Sequence, residues 1–433
     1  MTSTPLHERW LATVSKHPNA LALREAESGR AWTFQQLADA TAPAKQHTVP
    51  CLFPQGNSAD FVLEVLRGWA AGAIVCPLEP GQPRPPMDGL SNACAHVKTT
   101  SGTTGSARLI AFSASQLAAD ADNIVRTMGL RPEWPNLGAI SLAHSYGFSN
   151  LVLPLLLHGI PLILASSPLP GPFSLAAAQA GPITVPAVPV LWRAWHEAGV
   201  ISPNIRLAIS AGAPMPAALE RRIFDSTGLK IHNFYGASEC GGITFDAADT
   251  PRADTAFVGT PLNGVKVSLS EEGCLQVASD AVADTYWPEP DPALSKGRFI
   301  TSDLAEITAN GISLRGRLGD LINVAGRKVS AQLVERVLME CPGVRDCVVF
   351  GVSPSVNEND REWIVACVSG PSPGDTERLR RHVASRLRDW QVPKQWWFVE
   401  SIETTERGKV RRDQWRDLYI KTKLSGGQGE FGL

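Results

Sequence analysis

The sequence predicts an α/β fold: a large layered N-terminal domain of α/β subdomains plus a β-rich subdomain, followed by a smaller, mobile α+β C-terminal domain. Three observations carry this expectation. Over the first hundred residues, helix-like and strand-like segments alternate. From about residue 255 the segments shorten into hairpins. After "GRLGD" (residues 316–320) the pattern resets into a compact unit of about a hundred residues. The expected bounds are 1–318 for the first domain and 319–423 for the lid, with a disordered tail at 424–433.

The elements follow in order. "TFQQLADATA" has helical spacing after a Thr33 cap, and "TVPCLFPQ" reads as a strand. "SADFVLEVLRGWAAG" is an amphipathic helix, and "AIVCPLEP" a buried strand that ends at prolines. "RLIAFS" is a strand. The helix after it carries a capping box, Ser113 with Gln116, and an apolar face of Leu117, Ala121, Ile124, Val125 and Met128. In the middle of the chain, "GAISLAHSYGFSN", "IPLILA", "PITVPAVPVLWRAW", "IRLAISAGAPMPAALERRIFDSTG" and "KIHNFYGASECGG" each join an apolar strand to a turn or helix. "GVKVSLSEEGCLQVAS" and "EITANGISLRGR" read as hairpins. The last unit holds a helix at "SAQLVERVLMECPGV", strands at "RDCVVFGV" and "REWIVACVSG", a helix at "DTERLRRHVASRLRDW" and a strand at "KQWWFVESI".

Composition excludes several function classes. The 433 residues are 44% hydrophobic, with a formal net charge of −2 and no basic stripe, so nucleic acid is not an expected partner. No apolar run reaches the roughly 18 residues a membrane span needs; "LVLPLLLHGIPLILA" is interrupted by Pro154, His158, Gly159 and Pro161. The start, "MTSTPLHERWLATV", lacks the charged-then-apolar order of a signal peptide. Eight cysteines without C-x-x-C pairs read as reduced thiols of a cytoplasmic protein, with no zinc site.

The segment "TTSGTTGSARL" (residues 99–109) has the make-up of a phosphate-binding loop. Glycines let backbone N–H groups close on an anion, and hydroxyls add donors. It is not G-x-x-x-x-G-K-[ST], and no lysine follows it, only Arg108. It lies between two strands, so backbone N–H groups and hydroxyls, rather than a helix N-terminus, would hold the anion.

Seven segments then occur in a telling order: "TTSGTTGSAR", "AHSYG", "SAGAP", "NFYGASE", "GRFITSDL", "GRLGDLINVAGRKVSAQLVE" and "TERGKVRRDQW". Their order and content resemble the adenylate-forming (AMP-binding) superfamily of acyl- and aryl-CoA ligases, adenylation domains and luciferases, from about Trp32 to Trp415. The resemblance implies ATP, Mg²⁺ and CoA, or the phosphopantetheine of a carrier protein. In the reaction a carboxylate attacks the α-phosphate, so catalysis must neutralise charge and hold geometry.

Residue by residue, the resemblance implies the following roles. Thr100, Ser101, Gly102, Thr103, Thr104 and Gly105 would cradle the β- and γ-phosphates. Glu239 would bind magnesium, and Ser238, where threonine is commoner, would meet the α-phosphate. Tyr235 would stack on adenine beside Asn233 and Gly236, with Gly212, Ala213 and Pro214 lining the opposite side of the base. Asp303 would accept the ribose hydroxyls, and Arg317 would make a second ribose or phosphate contact. Lys409 would bridge the substrate carboxylate and the α-phosphate, then withdraw with its domain. Gly319 stands where the family has its hinge, and Gly326 would let pantetheine pass close to the backbone in the second step. His144 would gate the acyl pocket, a core histidine being the alternative. Trp192 has two readings, pocket lining or core, and Cys240 reads as a buried small residue. The arginines of "RLRRHVASRLRDW" read as a solvated face, or as a contact to the 3′-phosphate of CoA or to an acidic carrier.

Two departures stand out. The usual Pro-Lys-Gly after the loop is replaced by Ser106-Ala107-Arg108-Leu109. The stretch before the loop is short, only "GQPRPPMDGLSNACAHVK", so part of the first sheet is trimmed, and a partner or a second copy is expected over that face. "SLAHSYGFSN" lacks the Phe-Asp element that anchors an α-amino group, which favours a fatty or aromatic acid. The expected function is ATP-dependent activation of such an acid and its transfer to CoA. A stand-alone enzyme that loads a separate carrier protein and a non-catalytic nucleotide-binding scaffold are the alternatives.

Overall fold

The structure, a computed structural model, describes residues 4–41, 50–91, 93–99, 108–295, 297–353, 362–403 and 410–425. The expected phosphate-loop residues Thr100, Ser101, Gly102, Thr103, Thr104 and Gly105 lie outside the described residues, as does Lys409. The chain divides into two compact units. One comprises residues 1–270, 276–301 and 307–312; the other comprises 271–275, 302–306 and 313–433.

In the first unit the strands of the larger sheet run in the order Phe257–Pro261, Gly241–Phe245, Ile231–Ala237, Ile205–Ser210, Ile183–Ala187, Asn136–Gly138, Leu162–Leu164, Leu21–Glu25 and Ala31–Thr33. The six from Ile231–Ala237 to Leu21–Glu25 pair in parallel, and antiparallel strands extend both sides. The parallel strands are apolar on both faces, as burial between helices requires: all five residues of Ile183–Ala187 are buried. Against them pack Trp192 and Trp195 of the helix Pro189–Glu197 and Phe173 of Pro170–Ala178. The rings of Phe173 and Trp195 stack with centroids 3.8 Å apart.

The smaller sheet runs Thr285–Trp287, Leu109–Ser113, Cys94–Thr99, Ile74–Val75 and Cys51–Leu52. Cys94–Thr99 and Leu109–Ser113 are antiparallel neighbours, so the glycine-threonine segment does connect two strands. Ser113 caps the helix Ala114–Met128 through the expected box with Gln116. Thr33 does the same for Phe34–Ala40. The N-terminal helix Pro5–Lys16 has a shorter signal: a Thr4 cap with proline at its first position.

The second unit carries a three-stranded sheet, Asp346–Val352, Trp363–Ser369 and Gln395–Val399, with the helices Ala331–Met339, Thr376–Ala384 and Arg412–Ser425. Period-two alternation divides its core. Val349, Ile364 and Ala366 face one cluster, while Val348, Phe350 and Val365 face the other, with Tyr419. The helix Arg412–Ser425 takes in the first two residues of the expected tail, and 426–433 lie outside the described residues. Leu321–Val324 and Arg327–Ser330 form a hairpin whose two turn residues, Ala325 and Gly326, both have positive φ.

All eight cysteines are free thiols. Burial pushes Cys51 up to about 11 and Cys76 to about 12, so both stay protonated at neutral pH. Among the described residues no helix is long and apolar enough to cross a membrane.

A buried ion cluster fixes the sheet end nearest the "SAGAP" loop. Glu220, on the helix Ala217–Thr227, pairs with Lys230 and accepts from Arg252 Nε at 2.8 Å; Lys230 Nζ also reaches Asp246 at 2.6 Å. Arg252 then donates to the carbonyls of Met215 and Phe257, each at 2.7 Å, which holds the chain just beyond Pro214. Removing one member leaves buried charge uncompensated, at a cost of about 3–5 kcal/mol. Arg252→Met is therefore expected to lower the urea midpoint sharply, by several times the effect of Arg315→Met at an exposed pair. Equal midpoints would show that the cluster does not hold this end of the sheet.

Candidate active site

Glu239 sits in the three-residue turn between Ile231–Ala237 and Gly241–Phe245. Local sterics explain the glycines of "YGASECGG". A Cβ on Gly236 would come within 2.5 Å of the Gly241 carbonyl oxygen, and one on Gly241, at φ +68°, within 2.0 Å of Asp120. The turn closes with Cys240 N–H donating to Ala237 O at 3.2 Å, and Ala283 N–H donates to the Glu239 carbonyl at 2.9 Å. Ser238 and Glu239 are thus presented on a stiff hairpin end.

Both side chains have partners. Ser145 Oγ donates to Ser238 Oγ at 3.0 Å. Tyr286 Oη donates to Glu239 Oε1 at 2.8 Å. Burial, then the neighbouring Glu239, pushes the Tyr286 phenol far up, so it remains a donor across the physiological range. The Arg108 guanidinium lies 3.9 Å from the Tyr286 ring centre and 3.2 Å from Asp291 Oδ2. Arg108 is therefore engaged in a cation–π and ion-pair arrangement behind Glu239.

Ser145 is placed by the turn Ser145–Gly147, which His144 caps: His144 Nδ1 accepts from Tyr146 N–H at 3.3 Å. Gly147 is required, because a Cβ there would fall 1.9 Å from Ser141 O. A π-helical turn, Phe148–Val152, follows; such turns concentrate at functional sites. Tyr146 is buried at the C-terminal ends of the central strands. Its hydroxyl lies 3.4 Å from Ala187 O and 3.5 Å from Ile209 O, with the Phe234 ring 5.9 Å away. Asn233 is buried, Tyr235 is half-buried in the same strand, and Gly236 is exposed. In the adenine-loop segment, Gly212 (φ +82°) and Pro214 are exposed and Ala213 half-buried. Trp192 resolves to the core reading: it is fully buried and donates to Ile209 O at 3.1 Å. Burial pushes the Cys240 thiol well up, as suits a buried small residue.

In the second unit Arg317 Nε donates to Asp303 Oδ1 at 2.9 Å, which pairs the two residues expected at the ribose. Gly326 is exposed at its turn, and a Cβ there would meet nothing within 4 Å. Gly319 likewise has open space around it. Arg378 and Arg381 of the arginine-rich helix pair locally with Asp375 and Glu377.

Behind Glu239 lies a buried polar group that motif reading passes over. His96 and Lys98 stand two apart on Cys94–Thr99 and so share a face, at 0% and 4% exposure. Neither the His96 ring nitrogens nor Lys98 Nζ has a hydrogen-bond partner among the described residues. Lys98 Nζ lies 4.5 Å from the Phe112 ring centre, and the His96 ring is 4.5 Å from that of Phe148. Burial pulls Lys98 down, while Asp120, Cys240 and Glu239 oppose the shift. Asp120 in turn accepts from Ser149 Oγ at 2.6 Å and Gly242 N–H at 3.0 Å, which ties the helix Ala114–Met128 to the Glu239 hairpin. The signal was present in the sequence: charged or titratable residues at alternate positions of an apolar strand, and an aspartate next to the apolar face of a helix.

Magnesium fits this chain through one carboxylate. Among the described residues no group of three or more His, Cys, Asp or Glu side chains forms a metal cage. Mg²⁺ at phosphate sites characteristically uses one or two carboxylates, waters and the phosphates themselves. Glu239 offers that single hard donor, with its second oxygen away from the Tyr286 bond.

His96 gives a test of the buried group. Burial, then Lys98, holds its imidazole far below the usual value, so the folded form keeps it neutral. The unfolded chain takes up a proton below about pH 6.5, so stability is lost as pH falls from there, by up to about 1.4 kcal/mol per pH unit. His96→Phe, an aromatic replacement, is expected to flatten the fall of Tm between pH 7 and pH 5. Identical slopes would show that His96 is not held neutral.

Comparison with known proteins agrees with this geometry. The model of the AMP-binding enzyme family matches residues 82–287, and that of the AMP-binding enzyme C-terminal domain matches 333–409. A feruloyl-CoA synthase from an Amycolatopsis species is 28% identical over 352 residues, covering 76% of this chain and 70% of the relative. A probable 2-succinylbenzoate–CoA ligase of Mycobacterium tuberculosis (strain ATCC 25618 / H37Rv) is 29% identical over 349 residues, 73% and 82% of the two chains. Among solved structures, ATP-bound MatB from Rhodopseudomonas palustris superposes with a TM-score of 0.83 at 20% identity, over 97% of this chain and 100% of that one, a likeness of fold. The chain belongs to the adenylate-forming superfamily of AMP-binding enzymes.

Proposed function

We propose that the chain activates an aromatic or fatty carboxylic acid with ATP and transfers the acyl group to the thiol of CoA. The observation that carries this is the Ser238–Glu239 hairpin turn, held from one side by Ser145 and from the other by Tyr286. Such a turn presents a hydroxyl and a metal-binding carboxylate at fixed positions before any ligand arrives. The two aryl-acid relatives favour an acid with a flat apolar body.

In the first step a carboxylate oxygen bonds to the α-phosphorus, and the bond from phosphorus to the pyrophosphate oxygen breaks. Glu239 would hold Mg²⁺, which would supply positive charge to the phosphate oxygens when bound. Ser238 donates to the α-phosphate, and the Tyr286 hydrogen bond keeps the Glu239 carboxylate turned toward its ligand. Lys409, in the role the family resemblance gives it, neutralises charge between the two anions. In the second step the thiol sulfur bonds to the acyl carbon, the carbon–oxygen bond to AMP breaks, and the thiol proton passes to solvent. The family resemblance gives Gly319 the role of hinge and gives Gly326, a residue without a Cβ, the role of letting the thiol's arm pass close to the backbone. A carrier protein's phosphopantetheine offers the same thiol and is the alternative acceptor.

Acid-dependent ATP–pyrophosphate exchange across fatty, aryl and amino acids tests this reading. Exchange is expected with aryl or fatty acids, and Glu239→Gln and Lys409→Ala are each expected to lower its kcat by about 10²-fold or more. ATP binding without exchange with any acid would instead identify a nucleotide-binding scaffold.

A further inference from the structure

We propose that Glu79 is a positioning residue for the adenylation step: acting through Ser141, it fixes the turn from which Ser145 reaches Ser238. The proposal rests on the reading of Ser238 and Glu239 as the turn that meets the phosphates. All of its members belong to the first unit. The sequence writes the supporting turn locally. "EPGQ" (residues 79–82) places proline second and glycine third, the order of a type II turn, and Gly81 has φ +79°. Gln82 N–H donates to Glu79 O at 3.0 Å and closes the turn, while Glu79 N–H donates back to Gln82 Oε1 at 3.2 Å. Gln82 Nε2 also donates to Thr99 Oγ1 at 3.1 Å, which ties the turn to the strand Cys94–Thr99. The shortened stretch of the sequence starts at this turn, and the turn itself is kept.

Two side chains of the smaller sheet cross to the larger one. Glu79 lies beyond the C-terminal end of Ile74–Val75, and Asn57 beyond that of its parallel neighbour Cys51–Leu52; the two extensions still pair at Gln55 and Leu78. Ser141 follows the C-terminal end of Asn136–Gly138, in the larger sheet. Ser141 Oγ donates to Glu79 Oε1 at 2.8 Å, and Leu142 N–H donates to Asn57 Oδ1 at 2.8 Å. A hydroxyl has one proton and two lone pairs. With its proton given to Glu79, Ser141 Oγ turns its lone pairs to Ala143 N–H at 3.2 Å and His144 N–H at 3.4 Å. The backbone N–H groups of Leu142, Ala143 and His144 are thus all taken up by Asn57 and Ser141. On the other side the Ser141 carbonyl closes against Gly147, and Phe148 N–H donates to His144 O at 2.9 Å.

This clamp fixes the direction of Ser145. Ser145 Oγ gives its proton to Ser238 Oγ at 3.0 Å, which leaves Ser238 its own proton for the α-phosphate. The bond from Ser141 to the Glu79 carboxylate is of the charge-assisted kind, about twice as strong as one between neutral groups. Without that acceptor the Ser141 proton turns elsewhere, the two N–H bonds loosen, and Ser145 loses its fixed bearing. The body of the turn stays in place, because Leu142 is fully buried. Removal of Glu79 therefore acts on the orientation of the turn rather than on the fold, and the smaller sheet takes part in the geometry of a site carried by the larger one.

The test uses the full chain and ATP–pyrophosphate exchange with the acid that the wild-type chain activates fastest. Glu79→Ala is expected to lower the kcat of exchange by about 10-fold or more, with KM for ATP within about twofold of wild type. Glu79→Gln keeps an acceptor oxygen and is expected to stay within about threefold of wild type; a loss equal to that of the alanine variant would overturn the positioning role. Ser141→Ala removes the same link, is expected to match Glu79→Ala, and serves if that variant does not fold. In a Ser145→Ala background, Glu79→Ala is expected to cost less than about threefold, because the residue it positions is gone. The full loss in that background would overturn action through Ser145. Wild-type exchange in Glu79→Ala and Ser141→Ala, beside loss in Ser238→Ala, would overturn the proposal only. Full exchange in Ser238→Ala, or no exchange by the wild-type chain with any acid, would overturn the reading of the turn and the proposal with it.

Discussion

The site depends on a shared strand direction. Asn136–Gly138, Ile183–Ala187, Ile205–Ser210 and Ile231–Ala237 run in parallel, so the segments leaving their C-terminal ends emerge along one edge of the sheet. In open α/β sheets, ligand sites form outside these ends. Here they deliver the His144 turn, the "SAGAP" loop and the Ser238–Glu239 hairpin to neighbouring positions. Close contacts then stiffen each segment: Gly147 against the Ser141 backbone, Gly236 against the Gly241 backbone, and Gly241 against the Asp120 carboxylate. A side chain at any of the three would collide with what it touches, so the loops hold the geometry that binding would otherwise have to impose.

Charge is the second constraint. Joining a carboxylate to a triphosphate brings anions together in a partly desolvated place, where each unscreened charge counts for more than in water. The chain places cations around Glu239, but each is committed differently. Arg108, which replaces the usual lysine region after the loop, leans on Tyr286 and Asp291 and so acts behind Glu239. Lys98 is buried under the same hairpin, stabilised by the Phe112 ring and by the fields of Asp120 and Glu239. Both are fixed in place by their partners, Arg108 by Tyr286 and Asp291 and Lys98 by its burial beside Phe112.

Much of this was legible in the sequence. The helix cap at Thr33, the capping box at Ser113, and the two-strand setting of the glycine-threonine segment all follow from local chemistry. The strand and turn that carry Glu239 were read from "KIHNFYGASECGG", and the structure adds the returning strand Gly241–Phe245. Three things were not legible, for physical reasons. Tyr286 meets Glu239 across 47 residues through pairing of the smaller sheet, and no local pattern encodes that distance. Trp192 fits a pocket wall and a core equally well until its indole bond to Ile209 O is seen. Arg412 reads as one of a basic run, yet it is half-buried and pairs with acids supplied 92 and 77 residues away.

Isotope transfer tests the central claim most directly. With the substrate acid labelled in its carboxylate by ¹⁸O, turnover with ATP and CoA is followed by mass spectrometry of the nucleotide product. Attack of the carboxylate on the α-phosphorus predicts AMP carrying one labelled oxygen, together with unlabelled pyrophosphate and the acyl thioester. Production of ADP, or AMP without label, would contradict an acyl-adenylate intermediate and the roles assigned to Ser238 and Glu239.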